Sequence, residues 1–220
     1  MTTVLFTVRY PDRSTREELH VSLLTARYDR AFEFASALHR VDVRKGGAIP
    51  YLTHLMSVSA LVLEDGGTQD EAIAGLLHDA VEDHGQEQLP VIQERFGPRV
   101  AAIVQACSDS IQPAGAEKPD WRGRKTEYIA HVGSTSDLGY LRVTLADKLH
   151  NARCIVSDLH AIGDAVFERF NKDSDQLWYY RNLVAAFCSQ RARGLTSPML
   201  DELDRVVTEM ERLAPGAAEP

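Results

Sequence analysis

Apolar residues return along most of this chain at three- and four-residue spacing, while β-branched alternation is scarce, so the pattern predicts helices almost throughout. Tyr28, Ala31, Phe32, Ala35 and Leu38 form one stripe, on a helix from Thr25 to about Val41. Leu52, Leu55, Met56, Ser59 and Val62 or Leu63 form a second, which ends at the EDGG break of residues 64–67. Thr68 and Glu71 have capping-box spacing, and Ile73, Leu76, Leu77, Ala80 and Val81 carry that helix to about Asp83. Further helices are predicted around 87–96, 98–109, 121–132, 137–159, 173–192 and 198–213. They are separated by Gly97-Pro98, by Pro113-Ala114-Gly115 within a loop from about Ile111 to Pro119, and by Gly163. The expected fold class is all-α. Residues 1–20 read as an extension in which VLFTV is a short strand or a tail; 21–213 read as one domain and 214–220 as a frayed end.

Composition narrows the function classes. A chain of 220 residues, 44% hydrophobic and 25% charged, has enough apolar material for one globular core. Acidic residues outnumber basic ones by 32 to 24, a net charge of −8, which argues against a protein that holds nucleic acid by blanket attraction to phosphate. An anionic small substrate would have to be met by a few placed cations or a metal. The N-terminal segment lacks the basic and apolar regions of a secretory signal, and no apolar run is long enough to span a bilayer, so the expected location is cytoplasmic. Cys107, Cys154 and Cys188 are odd in number and without a CxxC pair, and are expected to be reduced, buried and small-apolar in role.

Polar residues in apolar surroundings carry the chemistry. GLLHDAVEDHG at 75–85 places His78, Asp79, Glu82 and Asp83 at the end of a strongly apolar helix, and on a continuous helix the three- and four-residue spacings put all four on one edge. His54 lies within IPYLTHLMSVSALV, another apolar helix. In YLRVTLADKLHNARCIV, Leu145, Leu149, Ala152 and Val156 can face a core while Asp147, Asn151, Cys154 and Asp158 form a separate stripe. His54, His78, Asp79 and Asp147 together offer two imidazoles and two carboxylates, a set suited to one divalent cation such as manganese, iron or magnesium. His39, His84, His131, His150 and His160 have no partner at ligand spacing and read mostly as surface residues. Of the aromatic run at 178–180, Trp178 is assigned to the core and Tyr179 to a substrate contact.

These motifs resemble the HD-domain metal-dependent phosphohydrolases, and more narrowly RKGGAIPYLTH at 44–54, LLHDAVED at 76–83 and VTLADKLHNAR at 143–153 resemble the hydrolase domain of the RelA/SpoT family, in particular its small alarmone hydrolases. The resemblance implies a compact helical bundle with the metal site between central helices. It implies His54, His78, Asp79 and Asp147 as metal ligands, Mn²⁺ as the favoured ion, and Glu82 and Asp83 as the catalytic acidic pair. It implies Arg44, Lys45 and Asn151 as substrate contacts beside Tyr179, with Arg124 and Lys125, the RK dipeptide, as weaker candidates. The implied reaction is hydrolysis of the 3′-pyrophosphate of guanosine tetra- or pentaphosphate (ppGpp or pppGpp) to GDP or GTP and pyrophosphate. The implied partner is this small-molecule nucleotide, with no nucleic acid and no membrane; a homo-oligomer is allowed. Two alternatives stand beside it: another HD-type nucleotide phosphohydrolase, acting on nucleoside monophosphates or cyclic nucleotides, and a helical regulatory module without turnover.

Overall fold

Six of the ten described helices begin where a short polar side chain accepts from the first free backbone amides, a position that Ser, Thr and Asp fill well. Thr25 opens α1 (Ala26–Leu38), the Thr68–Glu71 capping box opens α3 (Gln69–Leu77), and Asp120 opens α7 (Trp121–Ser134). Asp137, Asp175 and Ser197 do the same for α8 (Leu138–Ile162), α9 (Gln176–Ser189) and α10 (Pro198–Leu213). The remaining elements are α2 (Leu52–Glu64), α4 (Ala80–His84), α5 (Gln88–Phe96) and α6 (Pro98–Cys107), with 3₁₀ turns at Gly163–Arg169 and Gln190–Arg193. This computed structural model describes residues 24–108, 120–170 and 174–214; the expected N-terminal strand, the 111–119 loop and most of the C-terminal tail lie outside them. Among the described residues there is no strand, only a bridge between Val43 and Pro50, so the all-α expectation holds.

Three helices position everything that follows. The 25-residue α8 runs through the middle of the core, with Leu141, Leu145, Leu149 and Ala152 fully buried, and α2 and α3 pack on it and on each other. Glycine at 75 permits the α2–α3 approach: a Cβ there would lie 3.2 Å from the Ser59 Cα and 3.3 Å from its nitrogen. Ser59 completes the seam by donating to the Ala72 carbonyl at 2.9 Å. Arg142 on α8 pins the far end, 2.9 Å from Asp65 and 2.7 Å from Glu71. Helix α10 covers another side of α8, and α9 packs on α7 and α10.

One predicted element differs. The helix expected from Thr68 to Asp83 breaks at His78–Asp79 into α3 and the five-residue α4. The His78 ring bonds through Nδ1 to the Gly75 carbonyl at 2.9 Å, so a side chain occupies the acceptor that the Asp79 amide would use in an unbroken helix. His78, Asp79, Glu82 and Asp83 are therefore not one edge of a single helix, although the Asp83 amide still reaches the Asp79 carbonyl at 2.9 Å.

Candidate metal centre and cation-lined cleft

The α2–α3–α8 packing brings four nitrogen and oxygen atoms to one point. His54 Nε2 lies 3.3 Å from His78 Nε2, 3.6 Å from Asp79 Oδ2 and 3.2 Å from Asp147 Oδ1. His78 Nε2 lies 3.0 Å from Asp79 Oδ2 and 3.7 Å from Asp147 Oδ1. Ligand atoms about 2.1 Å from a shared ion are about 3.0 Å apart at right angles and about 3.4 Å apart at tetrahedral angles, so the mutually close His54, His78 and Asp79 atoms suit one first-row divalent cation, with Asp147 Oδ1 approaching both histidines. His54, His78 and Asp147 are buried and Asp79 is partly so, and the set contains no thiolate.

Neighbouring groups hold these side chains in metal-binding form. The bond from His78 Nδ1 to the Gly75 carbonyl makes Nδ1 the protonated nitrogen, which leaves the Nε2 lone pair facing the cluster. His54 Nδ1 meets His150 Nδ1 at 2.8 Å, Tyr51 donates to Asp79 Oδ2 at 2.6 Å, and Asn151 donates to Asp147 Oδ1 at 2.5 Å. Burial opposes charge on Asp147, but the Lys148 ammonium 2.6 Å away and the two histidines hold its carboxyl well below the ordinary aspartate value. Burial likewise opposes charge on Asp79, and His78 outweighs it, so both carboxylates are ionised. Without a cation, the same carboxylates overcome burial and hold His78 well above the usual histidine value, whereas burial depresses His54.

A cleft of about 850 Å³ opens beside this cluster, large enough for a nucleotide. Its wall gathers Arg44, Lys45, Lys125, Lys148 and Arg169 in a chain of net charge −8. Arg44 donates to Asn151 Oδ1 at 2.5 Å and lies 5.5 Å from the Tyr51 ring centre; Lys45 lies 5.7 Å from the Phe170 ring. The Lys125 ammonium sits 5.1 Å from the Tyr179 ring, and Glu82 and Asp83 stand exposed at the rim. Loss of solvation, then the Asp79 charge, raises the Asp83 carboxyl to about 6. Tyr179 is only 5% exposed, so it is a wall residue whose ring is largely covered by its neighbours.

Several expectations are corrected. His39 is buried and His84 half-buried, and they converge on Asp42 in a second cluster; His150 backs His54. The His84–Asp42 and His150–His54 contacts cross 42 and 96 residues of sequence, so the local spacing of those two histidines carried no sign of them, whereas His39 and Asp42 are three residues apart. Lys148 is paired to Asp147, and Arg169 enters the cleft from the 3₁₀ turn. Trp178 is half-buried under Arg122, 3.3 Å from its ring centre, and Tyr180 takes the core position. Cys188 is exposed, while Cys107 and Cys154 are half-buried, all three free; burial pushes the Cys107 thiol up to about 11. Arg124 is not among the residues lining the cleft.

A family model described as "HD domain" matches residues 31–177. A guanosine-3′,5′-bis(diphosphate) 3′-pyrophosphohydrolase of Aquifex aeolicus is 42% identical over 126 residues, 57% of this chain and 17% of that protein. A GTP pyrophosphokinase of Streptomyces coelicolor is 34% identical over 129 residues, 57% of this chain and 14% of that one, so the chain spans only a small part of the curated relatives it matches. In three dimensions the chain is similar to a metazoan ortholog of SpoT described as hydrolysing ppGpp, with a TM-score of 0.66 and 23% identity over 85% of this chain and 97% of the other. It is also similar to lmo0812 from Listeria monocytogenes, with a TM-score of 0.60 and 27% identity over 72% of this chain and 99% of the other. At those identities the structural likeness to the SpoT ortholog speaks to the fold.

Proposed function

This chain belongs to the HD domain family, and from that premise we propose that it is a metal-dependent phosphohydrolase that removes the 3′-pyrophosphate of guanosine tetra- or pentaphosphate. The observation that carries the reading is the junction of two features. Two histidines, each 3.0–3.7 Å from both aspartates, lie beside a cleft walled by five cations and are joined to it through Tyr51, His150 and Asn151. A polyphosphorylated nucleotide is the substrate class that needs both, and the Aquifex relative carries the name of that activity.

In this reading His54, His78, Asp79 and Asp147 hold one divalent ion, Mn²⁺ being favoured. Such an ion supplies Lewis acidity and lowers the pKa of a coordinated water toward neutrality. Glu82 and Asp83 at the rim orient the attacking water and accept its proton on a carboxylate oxygen. The bond that breaks joins the 3′ oxygen to its phosphorus; water adds to the phosphorus, and the nucleotide leaves as GDP or GTP beside pyrophosphate. Arg44, Lys45, Lys125, Lys148 and Arg169 neutralise the phosphates, with Arg suited to paired phosphate oxygens. Asn151 bridges the Asp147 carboxylate to Arg44 and so couples phosphate recognition to the ion cluster. Tyr51 holds Asp79 and forms part of the cleft wall, and Tyr179 closes the opposite side.

A nucleotide panel tests the substrate. The purified protein with Mn²⁺ should release pyrophosphate and GDP from guanosine tetraphosphate, and nothing from nucleoside monophosphates or cyclic nucleotides. Orthophosphate from a monophosphate, or opening of a cyclic nucleotide, with the alarmone untouched, would retain the metal centre and discard this substrate.

A further inference from the structure

A second histidine and carboxylate cluster lies outside the centre just described. His39 at the end of α1 and Asp42 in the turn that follows it meet His84 at the end of α4. His39 Nδ1 is 3.0 Å from Asp42 Oδ2, His84 Nε2 is 2.8 Å from the same oxygen, and the two nitrogens are 3.2 Å apart. We infer that His39, Asp42 and His84 form a second binding site for a divalent transition metal ion, distinct from the one between α2, α3 and α8.

The three edges equal, within a few tenths of an ångström, the separation of about 3.0 Å between ligands that occupy one face of an octahedral ion. Two imidazoles and one carboxylate on a face suit a borderline ion such as Zn²⁺ or Fe²⁺ better than Ca²⁺ or Mg²⁺, which prefer oxygen alone. Burial, then the neighbouring His84 ring, lowers His39, which favours the neutral form that can donate a lone pair. The site is also preorganised. The Asp42 amide bonds to the His39 carbonyl at 3.2 Å, its carbonyl accepts from the Tyr51 amide at 2.9 Å, and the His39 ring stacks on Tyr51 with centres 5.3 Å apart. Its open side faces a pocket of about 430 Å³ lined by Val41, Val43, Tyr51 and Asp83, which leaves room for water to complete the coordination. The two clusters share no ligand residue.

Metal stoichiometry tests this without reference to activity. The 220-residue chain, stripped of metal, is dialysed against Zn²⁺ and the bound ion counted per chain, for wild type, Asp79→Ala, His84→Ala, Asp42→Asn and the Asp79→Ala/His84→Ala double variant. Two ions for wild type, one for each single variant and none for the double variant are expected. Asp42→Asn, which keeps the side-chain shape, carries the test if His84→Ala melts early by circular dichroism. A single ion in the wild type, or a second ion that survives both His84→Ala and Asp42→Asn, overturns the inference.

Discussion

At the scale of single residues, ion holding and proton transfer are separable. Asp79 contributes an oxygen 3.0 Å from His78 Nε2, so Asp79→Ala is expected to abolish both metal binding and turnover. Glu82 stands at the rim, outside the four-atom cluster; Glu82→Ala should keep the ion, counted by metal analysis, while turnover falls by about 100- to 10,000-fold, the range for loss of a general acid or base. Asp83 adds a pH signature. A base works ionised, and solvation loss followed by Asp79 raises Asp83 to about 6, so activity should climb as pH rises through the region near and below 6. In Asp83→Asn that acidic limb should disappear from the rate profile; an unchanged limb would remove Asp83 from the proton-transfer step. The residues legible in the sequence were those whose motif is local: HDxxED and LADKLHN announce themselves within a few positions. His150 lies inside one of those motifs but joins the site through His54, 96 residues away, and Arg169 enters through a cleft formed only on folding, and periodicity reports neither.

At the scale of helices, the α2–α3 seam controls the geometry of the ion cluster, because α2 carries His54 and the end of α3 carries His78. Gly75→Ala is a sharp probe of it. Alanine gains about 1 kcal/mol of helix propensity, but its Cβ would meet Ser59 backbone at 3.2 Å, and backbone cannot rotate aside. Overpacking of this kind destabilises by about 1–3 kcal/mol, so a lower urea midpoint and weaker metal binding are expected together. A stabilised variant with unaltered metal affinity would show that the seam has slack. Helix positions were readable from apolar spacing and from the caps at Thr25, Thr68 and Asp120. The break at His78–Asp79 was not, since it arises from one imidazole taking a backbone acceptor, and both residues keep nearly helical backbone angles.

At the scale of the whole molecule, a buried ionic knot and a cation-lined cleft answer different needs. Arg142 joins Asp65 and Glu71, and Asp65, with a side chain 2% exposed, also accepts from Ser197 ahead of α10 at 2.7 Å. Arg142→Ala would leave that carboxylate buried without its cation, a change that destabilises by about 3–5 kcal/mol. Thermal unfolding should show it as a large fall in Tm, and a shift within the range of ordinary surface substitutions would contradict this role for the knot. The cleft makes an acidic protein locally attractive to polyphosphate, a property that net charge alone conceals. The central claim is that the α2–α3–α8 centre drives hydrolysis of the 3′-pyrophosphate. Its most direct test is the rate of pyrophosphate release from guanosine tetraphosphate by the purified protein, measured after chelation and again after Mn²⁺ is restored. Chelation should abolish release and Mn²⁺ should restore it with one GDP formed per pyrophosphate; release that ignores the chelator, or no release in either state, would rule out metal-dependent hydrolysis at this centre.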